Sequence, residues 1–227
     1  MKLAHVQGLK GEESVQHFMA AVVAALSILA GSLPGPARAQ TIIDEWASAK
    51  LPAPPELKPV TIDPKETALL VMDFTVQTCT PQRRLRCANS VPKVEKLVAD
   101  ARRTGAFVIY SVAVPGSTAA DILKELTPAA GEPVLPPLGP DKFVGSELDK
   151  MLKERGIKTV IAIGTQAHTS VLHTGSAAAL RGFKVVVPVD GMSGDDPWPE
   201  LYTAWHLANA ARISAQVTLT RMDMIKF

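Results

Sequence analysis

A carboxylate closes the first long apolar run of this chain. "TALLVMDF" spans Thr67 to Phe74, and Asp73 is its one charged residue. At the end of a strand buried on both faces, such a group either does acid/base work or caps a turn. A second concentration of polar atoms lies in "GTQAHTSVLHTG", Gly164 to Gly175, directly after the apolar "TVIAI". A glycine turn entering a helix presents hydroxyl, amide and imidazole groups together, and the candidates there are Thr165, Gln166, His168 and Ser170. A serine hydroxyl attacks a carbonyl only with a base beside it. His173, three residues on, falls on the same face of a regular helix and is one such base. The competing reading makes Ser170 a small pocket residue that leaves the attack to water.

These groups need a scaffold, and the chain supplies an alternation. After the Asp73 strand, Val91, Val94, Leu97, Val98 and Ala101 follow helical spacing, which predicts a helix over Ser90–Gly105 capped by Ser90 and stopped by Gly105. "AFVIYSV" (Ala106–Val112) is a second strand. A Pro/Gly-rich stretch, Val114 to Pro140, holds a short helix at Ala119–Leu126. Gly145–Gly156 reads as a helix with Ser146 as cap. The strands "KTVIAIG", "FKVVVPVD" and "AQVTLT" then alternate with the helices "HTSVLHTGSAAALRG" and "PWPELYTAWHLANAAR". Strands alternating with helices predict an α/β chain: three layers, α/β/α, with a Rossmann-like, mostly parallel sheet. Ligands of such sheets sit beyond the carboxyl ends of the strands where the strand order reverses. Asp73 and the Gly164 turn share one crevice if their strands are neighbours there.

"ALLVMDF", "DKFVGSELDKMLKERGIKTVIAIGTQAHTSVL", "AALRGFKVVVPVDGMS" and "AQVTLT" carry a resemblance. Over about Ala68 to Leu219 the chain resembles the isochorismatase-like hydrolase superfamily, which includes isochorismatases, nicotinamidases and N-carbamoylsarcosine amidohydrolases. The resemblance implies that Asp73 is the general acid/base and that Ser170 occupies the position of the amidases' nucleophilic cysteine. It also implies a cis peptide bond at Thr165–Gln166, with backbone N–H groups of Gln166 and Ser170 turned toward a substrate oxygen. The family's charge-stabilising lysine stands several residues ahead of an F-x-G-T-x-L motif. Here that motif is "FVGSEL" and Lys142 directly precedes Phe143, so Lys142 fills the role only if a shortened loop lets it reach.

"AH" at Ala167–His168 is similar to true isochorismatases, where the cysteine slot holds a small residue, the aspartate donates a proton and water attacks a vinyl ether. The "DMQ" typical of those enzymes is "DFT" here. His168 lines the pocket wall or hydrogen-bonds the helix start. Nicotinamidases hold a metal with an aspartate and histidines after the second strand, whereas "SVAVPGSTAAD" has no histidine. The expectation is a site with no metal and no organic cofactor.

Residues 1–39 read as a leader. "HFMAAVVAALSILAGSL" is too short for a membrane span, and "ARA" before Gln40 has the small-x-small form of a cleavage site. The expectation is a signal peptide over 1–39, a periplasmic or secreted protein, and no stable membrane insertion after cleavage; an uncleaved amphipathic anchor is the alternative. Residues 40–66, rich in proline, read as an N-terminal arm on the surface of a hydrolase domain at 67–227. An even pair of cysteines, Cys79 and Cys87, points to a disulfide in an exported protein, with two free thiols as the alternative. With 24 Lys and Arg against 22 Asp and Glu, the charge argues against a nucleic-acid partner. The partner implied is a small-molecule substrate carrying an amide or enol-ether bond, and relatives' habits add a homo-oligomer. The reading from another class is a small-molecule-binding protein that kept the fold without the thiol.

Overall fold

The computed structural model describes residues 41–227, so the leader reading falls outside the described residues. The chain divides into two units, with Leu51 the last residue of the first and Pro52 the first of the second. Within the first, Thr41 caps a single turn, α1 (Ile42–Glu45), through a reciprocal contact with Asp44. The expected N-terminal arm is therefore shared between two units.

In the second unit the proline-rich arm holds a short strand. Between Pro59 and Pro64, β1 (Val60–Thr61) pairs in parallel with a C-terminal strand, β9 (Ile225–Lys226). The Lys58 N–H donates to Leu219 O at 2.9 Å.

The main sheet is built from β2 (Thr67–Met72), β3 (Phe107–Ser111), β4 (Val134–Leu135), β5 (Thr159–Thr165), β6 (Lys184–Pro188), β7 (Met192–Ser193) and β8 (Val217–Thr220). Its order is β4-β3-β2-β5-β6-β8, with β7 extending beside the end of β5, and every pairing is parallel. All six residues of β2 are buried, which explains an apolar run without alternation. Ala68, Leu70 and Met72 enter one core with α3 (Leu148–Glu154), α4 (Leu172–Leu180) and α5 (Pro197–Asn209). Leu69 and Val71 enter the other core with α2 (Pro81–Thr104). Successive side chains pointing to opposite faces thus generate the three layers.

Three expectations need correction. The helix expected from Ser90 begins at Pro81, with Thr80 accepting from the Arg83 N–H. Its first turns, "PQRRLRCAN", carry no apolar stripe; a disulfide between Cys79 and Cys87 and a buried Arg84 fasten them instead. Ser90 does not cap anything and donates to Cys87 O at 2.7 Å. The short helix at Ala119–Leu126 is two separate 3₁₀ turns, Ala119–Asp121 and Lys124–Leu126. The helix after β5 opens with a π-helical turn, Ala167–Val171, before α4.

The chain reverses direction across the sheet between β2 and β5. From β2 it builds outward to β3 and β4; from β5 it builds the other way to β6 and β8. That pair is the switch point, and Met72 stands opposite Gly164 at its carboxyl end. A Cβ on Gly164 would lie 2.8 Å from both the Cβ and the carbonyl oxygen of Met72. Only glycine admits this approach, so the end of β5 rests against the end of β2.

Candidate active site

Asp73 leaves β2 in the left-handed region, at φ 66°, where Asp is among the few tolerated residues. Its N–H donates to Ser111 O at 3.0 Å, and its carbonyl accepts from the Thr75 N–H at 3.0 Å and from the Thr78 hydroxyl. These bonds hold the turn at the switch point, where the side chain meets Ser111, Ser170 and Lys142. The carboxylate is fully buried. Oδ1 accepts from Ser111 Oγ at 2.7 Å. Oδ2 accepts from Ser170 Oγ and lies 3.0 Å from Lys142 Nζ.

Lys142 is buried as well. Its loop is fixed from both sides: the Lys142 N–H donates to Thr174 Oγ1 at 3.1 Å, and Thr174 donates to Pro140 O at 3.1 Å. The ammonium also donates to Gly139 O at 3.0 Å. A buried ammonium needs such partners, and here a carboxylate and a carbonyl share it. The loop is short enough for Lys142 to reach Asp73 from the position beside Phe143.

The Thr165–Gln166 peptide bond is cis. Gln166 Nε2 donates to Asp195 Oδ2 at 2.9 Å. Ser170 sits in the π-helical turn, buried, with its hydroxyl on Asp73. The geometry therefore gathers Asp73, Lys142 and Ser170 at the foot of the turn begun by Thr165 and Gln166. His168 is half-buried and its Nδ1 has no hydrogen-bond partner. His173, expected on the face of Ser170, is solvent-exposed. The π-helical turn adds a residue to the helical period and rotates His173 off that face. His206 packs by Tyr202, with ring centroids 5.9 Å apart. Asp190 Oδ1 accepts from the Met222 N–H at 2.9 Å, which fixes the chain after β8.

The sequence reading missed Ser111. Its signal was a hydroxyl at the carboxyl end of an otherwise apolar strand, level with Met72 in the neighbouring strand. The structure also joins Cys79 and Cys87 in a disulfide, with Cα atoms 5.3 Å apart, so no sulfur of this loop is free to act as a thiol. Among the described residues, no group of three His, Cys, Asp or Glu side chains is placed to hold a metal ion.

A parallel sheet wound both ways from β2 and β5, with a buried aspartate–lysine pair beneath a strand-to-helix turn, defines a doubly wound α/β protein whose candidate site lies at the switch point. Within that class the chain belongs to the isochorismatase family, whose domain model matches residues 67–221. It is 27% identical over 150 residues to the "Secreted isochorismatase effector Isc1" of Verticillium dahliae, covering 61% of this chain and 78% of that protein. The fold is similar to an isochorismatase family protein from Desulfovibrio vulgaris, with TM-score 0.63, 24% identity, and coverage of 70% of this chain and 95% of that one. It is also similar to the N-carbamoylsarcosine amidase of Thermoplasma acidophilum, with TM-score 0.58, 26% identity, and coverage of 70% and 97%. Members of this family are hydrolases of small molecules.

Proposed function

We propose that this protein hydrolyses an amide or enol-ether bond of a small molecule, with Asp73 as acid/base. The observation that carries the reading is the buried Asp73 carboxylate, held by Ser111, Ser170 and Lys142 at the switch point. Ser111 fixes Oδ1, and Oδ2, the oxygen that faces Lys142 and the Ser170 turn, is the one that exchanges a proton with substrate or water. Lys142 steadies negative charge developing beside it. Thr165, Gln166 and His168 belong to the turn that meets the substrate in this reading, and the backbone N–H groups of the turn hold the substrate oxygen. Ser170 keeps Asp73 oriented by donating to it, and water is the attacking group.

Isochorismate, N-carbamoylsarcosine and nicotinamide, followed by mass spectrometry, are the probes. The expected outcome is turnover of one bond type, reduced by at least about a hundredfold in Asp73→Asn. Turnover that survives Asp73→Asn unchanged would remove Asp73 from the mechanism. A second reading is a small-molecule-binding protein, favoured by one observation: the atom nearest Asp73 in the turn is a hydroxyl, where the amidases carry a thiol. Binding of a probe without turnover by the wild-type protein would establish that reading.

We also propose that the protein acts outside the cytoplasm. The leader-like 1–39, the Cys79–Cys87 disulfide and the similarity to a protein described as secreted support this. N-terminal sequencing of protein recovered from periplasm or medium tests it, with a start at Gln40 expected and a start within 1–39 against it.

A further inference from the structure

Arg84 is 5% exposed and interrupts α2, with φ −156° and ψ 87° inside an otherwise helical run. Its side chain explains the departure. Nη1 donates to Thr78 O at 2.8 Å and to Thr165 Oγ1 at 2.9 Å. Nε donates to Asp195 Oδ1 at 2.8 Å. The other oxygen of Asp195 accepts from Gln166 Nε2 at 2.9 Å. Thr78 in turn donates its hydroxyl to the carbonyl of Asp73.

One guanidinium therefore ties together the two loops that meet at the site. On one side it reaches the Asp73 loop through Thr78. On the other it reaches Thr165 directly and Gln166 through Asp195. A planar fork with donors in several directions can make these bonds together; a lysine ammonium at the end of a flexible stem cannot reproduce the set. Arg84 also lies inside the ring closed by Cys79 and Cys87, whose side chains are both buried. The disulfide holds the non-helical segment from which the guanidinium extends.

We propose that Arg84 is a positioning residue for this site. It sets the spacing between the Asp73 loop and the Thr165–Ser170 turn, and the disulfide ring keeps it there. It acts through Thr78, Thr165 and Asp195 and touches no substrate. The proposal rests on the reading of the turn as the oxygen-binding element, so its test includes a readout independent of turnover.

That readout is amide hydrogen exchange of the ligand-free full chain, comparing wild type with Arg84→Gln, Arg84→Lys, Asp195→Asn and the double variant Cys79→Ser/Cys87→Ser. In Arg84→Gln and Asp195→Asn, exchange in residues 165–171 is expected to quicken by about tenfold, with no change in β6 and β8. Residues 75–79 follow in Arg84→Gln, and Arg84→Lys falls between it and wild type. The double cysteine variant loosens the same two segments. Unchanged exchange in the turn overturns the proposal, and so does an even rise across the whole sheet, which marks a merely structural role. If Arg84→Gln fails to fold, Asp195→Asn decides, because that side chain is half-exposed and its loss leaves the core intact. With any probe that wild type turns over, Arg84→Lys is expected to lower kcat while KM stays within about threefold. If wild type turns over no probe, the functional reading fails on its own, and the exchange pattern still decides the role of Arg84.

Discussion

Lys142 Nζ lies 3.0 Å from Asp73 Oδ2, and both side chains are sealed from solvent. Such a pair is worth less to the fold than its contact suggests, because each charge has given up water. Removing one partner strands the other, however. Lys142→Met is expected to destabilise the domain by about 3–5 kcal/mol. Adding Asp73→Asn to Lys142→Met should recover a large part of that loss, since it removes the stranded charge. Urea melts of the two single variants and the double variant measure this coupling. Additive effects would show that the two groups do not act as a pair.

Gly164→Ala tests the contact that brings the two halves of the site together. The new methyl would meet Met72 Cβ and the Met72 carbonyl oxygen, each at 2.8 Å. Neither atom can swing aside, so β2 and β5 must part at the end that carries Asp73. The expected cost is about 1–3 kcal/mol, with a larger proportional loss of any turnover. An unchanged melting temperature would mean that the sheet yields there without strain.

The Cys79–Cys87 disulfide closes a short loop, with a sequence separation of 8. Chain-entropy arguments give such a loop about 2.5 kcal/mol of stabilisation. For a domain of this size, that corresponds to a fall of about 5–10 °C in Tm when both cysteines are replaced by serine. Calorimetry of the double variant against wild type checks the figure. The effect should vanish when both are compared in a strong thiol reductant.

Tyr110 supplies the pH dependence. Burial raises its phenol well above the ordinary tyrosine value, against a smaller lowering by the Arg102 guanidinium beside it. The folded state therefore holds this proton more tightly than the unfolded chain does. The resulting stability is complete below the unfolded value of about 10. It is lost as pH rises through the folded value. Chemical melts across the alkaline range should show a decline that Tyr110→Phe flattens. In a Tyr202→Phe background, tyrosinate absorbance should appear only as the protein unfolds. Its appearance in the folded protein would mean that water reaches the phenol.

The sheet was legible in the sequence because its strands are buried on both faces. β2 and β5 are therefore continuous apolar runs bounded by turn residues, and the alternation with helices leaves few topologies. Asp73 and the Gly164 turn were legible for the same reason, since both mark strand ends. The start of α2 was not, because a disulfide and the bonds of Arg84 hold it in place of an apolar stripe. The two-residue strands β4 and β7 are too short to leave a pattern. The reach of Lys142 depends on how Thr174 pins its loop, a contact 32 residues distant in the chain. His173 was misplaced because the spacing argument assumes 3.6 residues per turn, and the helix opens with a π-helical turn.

Ser170 is the residue on which the choice of mechanism turns. Its hydroxyl donates to Asp73 Oδ2, the oxygen that also faces Lys142. A carboxylate in that position could draw off the hydroxyl proton, but it is a weak base for an alcohol. The imidazole that the helical spacing offered as a stronger base, His173, is exposed to solvent. On the proposed reading the hydroxyl orients Asp73 and water attacks. Ser170→Ala is expected to keep turnover within about tenfold of wild type, the cost of one lost hydrogen bond. A fall of about a thousandfold or more would instead identify Ser170 as a nucleophile. Ser170→Cys probes the same site from the other direction. It places a thiol beside Asp73 and Lys142 at the start of a helix, a setting that favours the thiolate. Trapping of an acyl-enzyme from N-carbamoylsarcosine or nicotinamide in that variant, and not in wild type, would show that a thiol is the one element of the amidase machinery this site lacks.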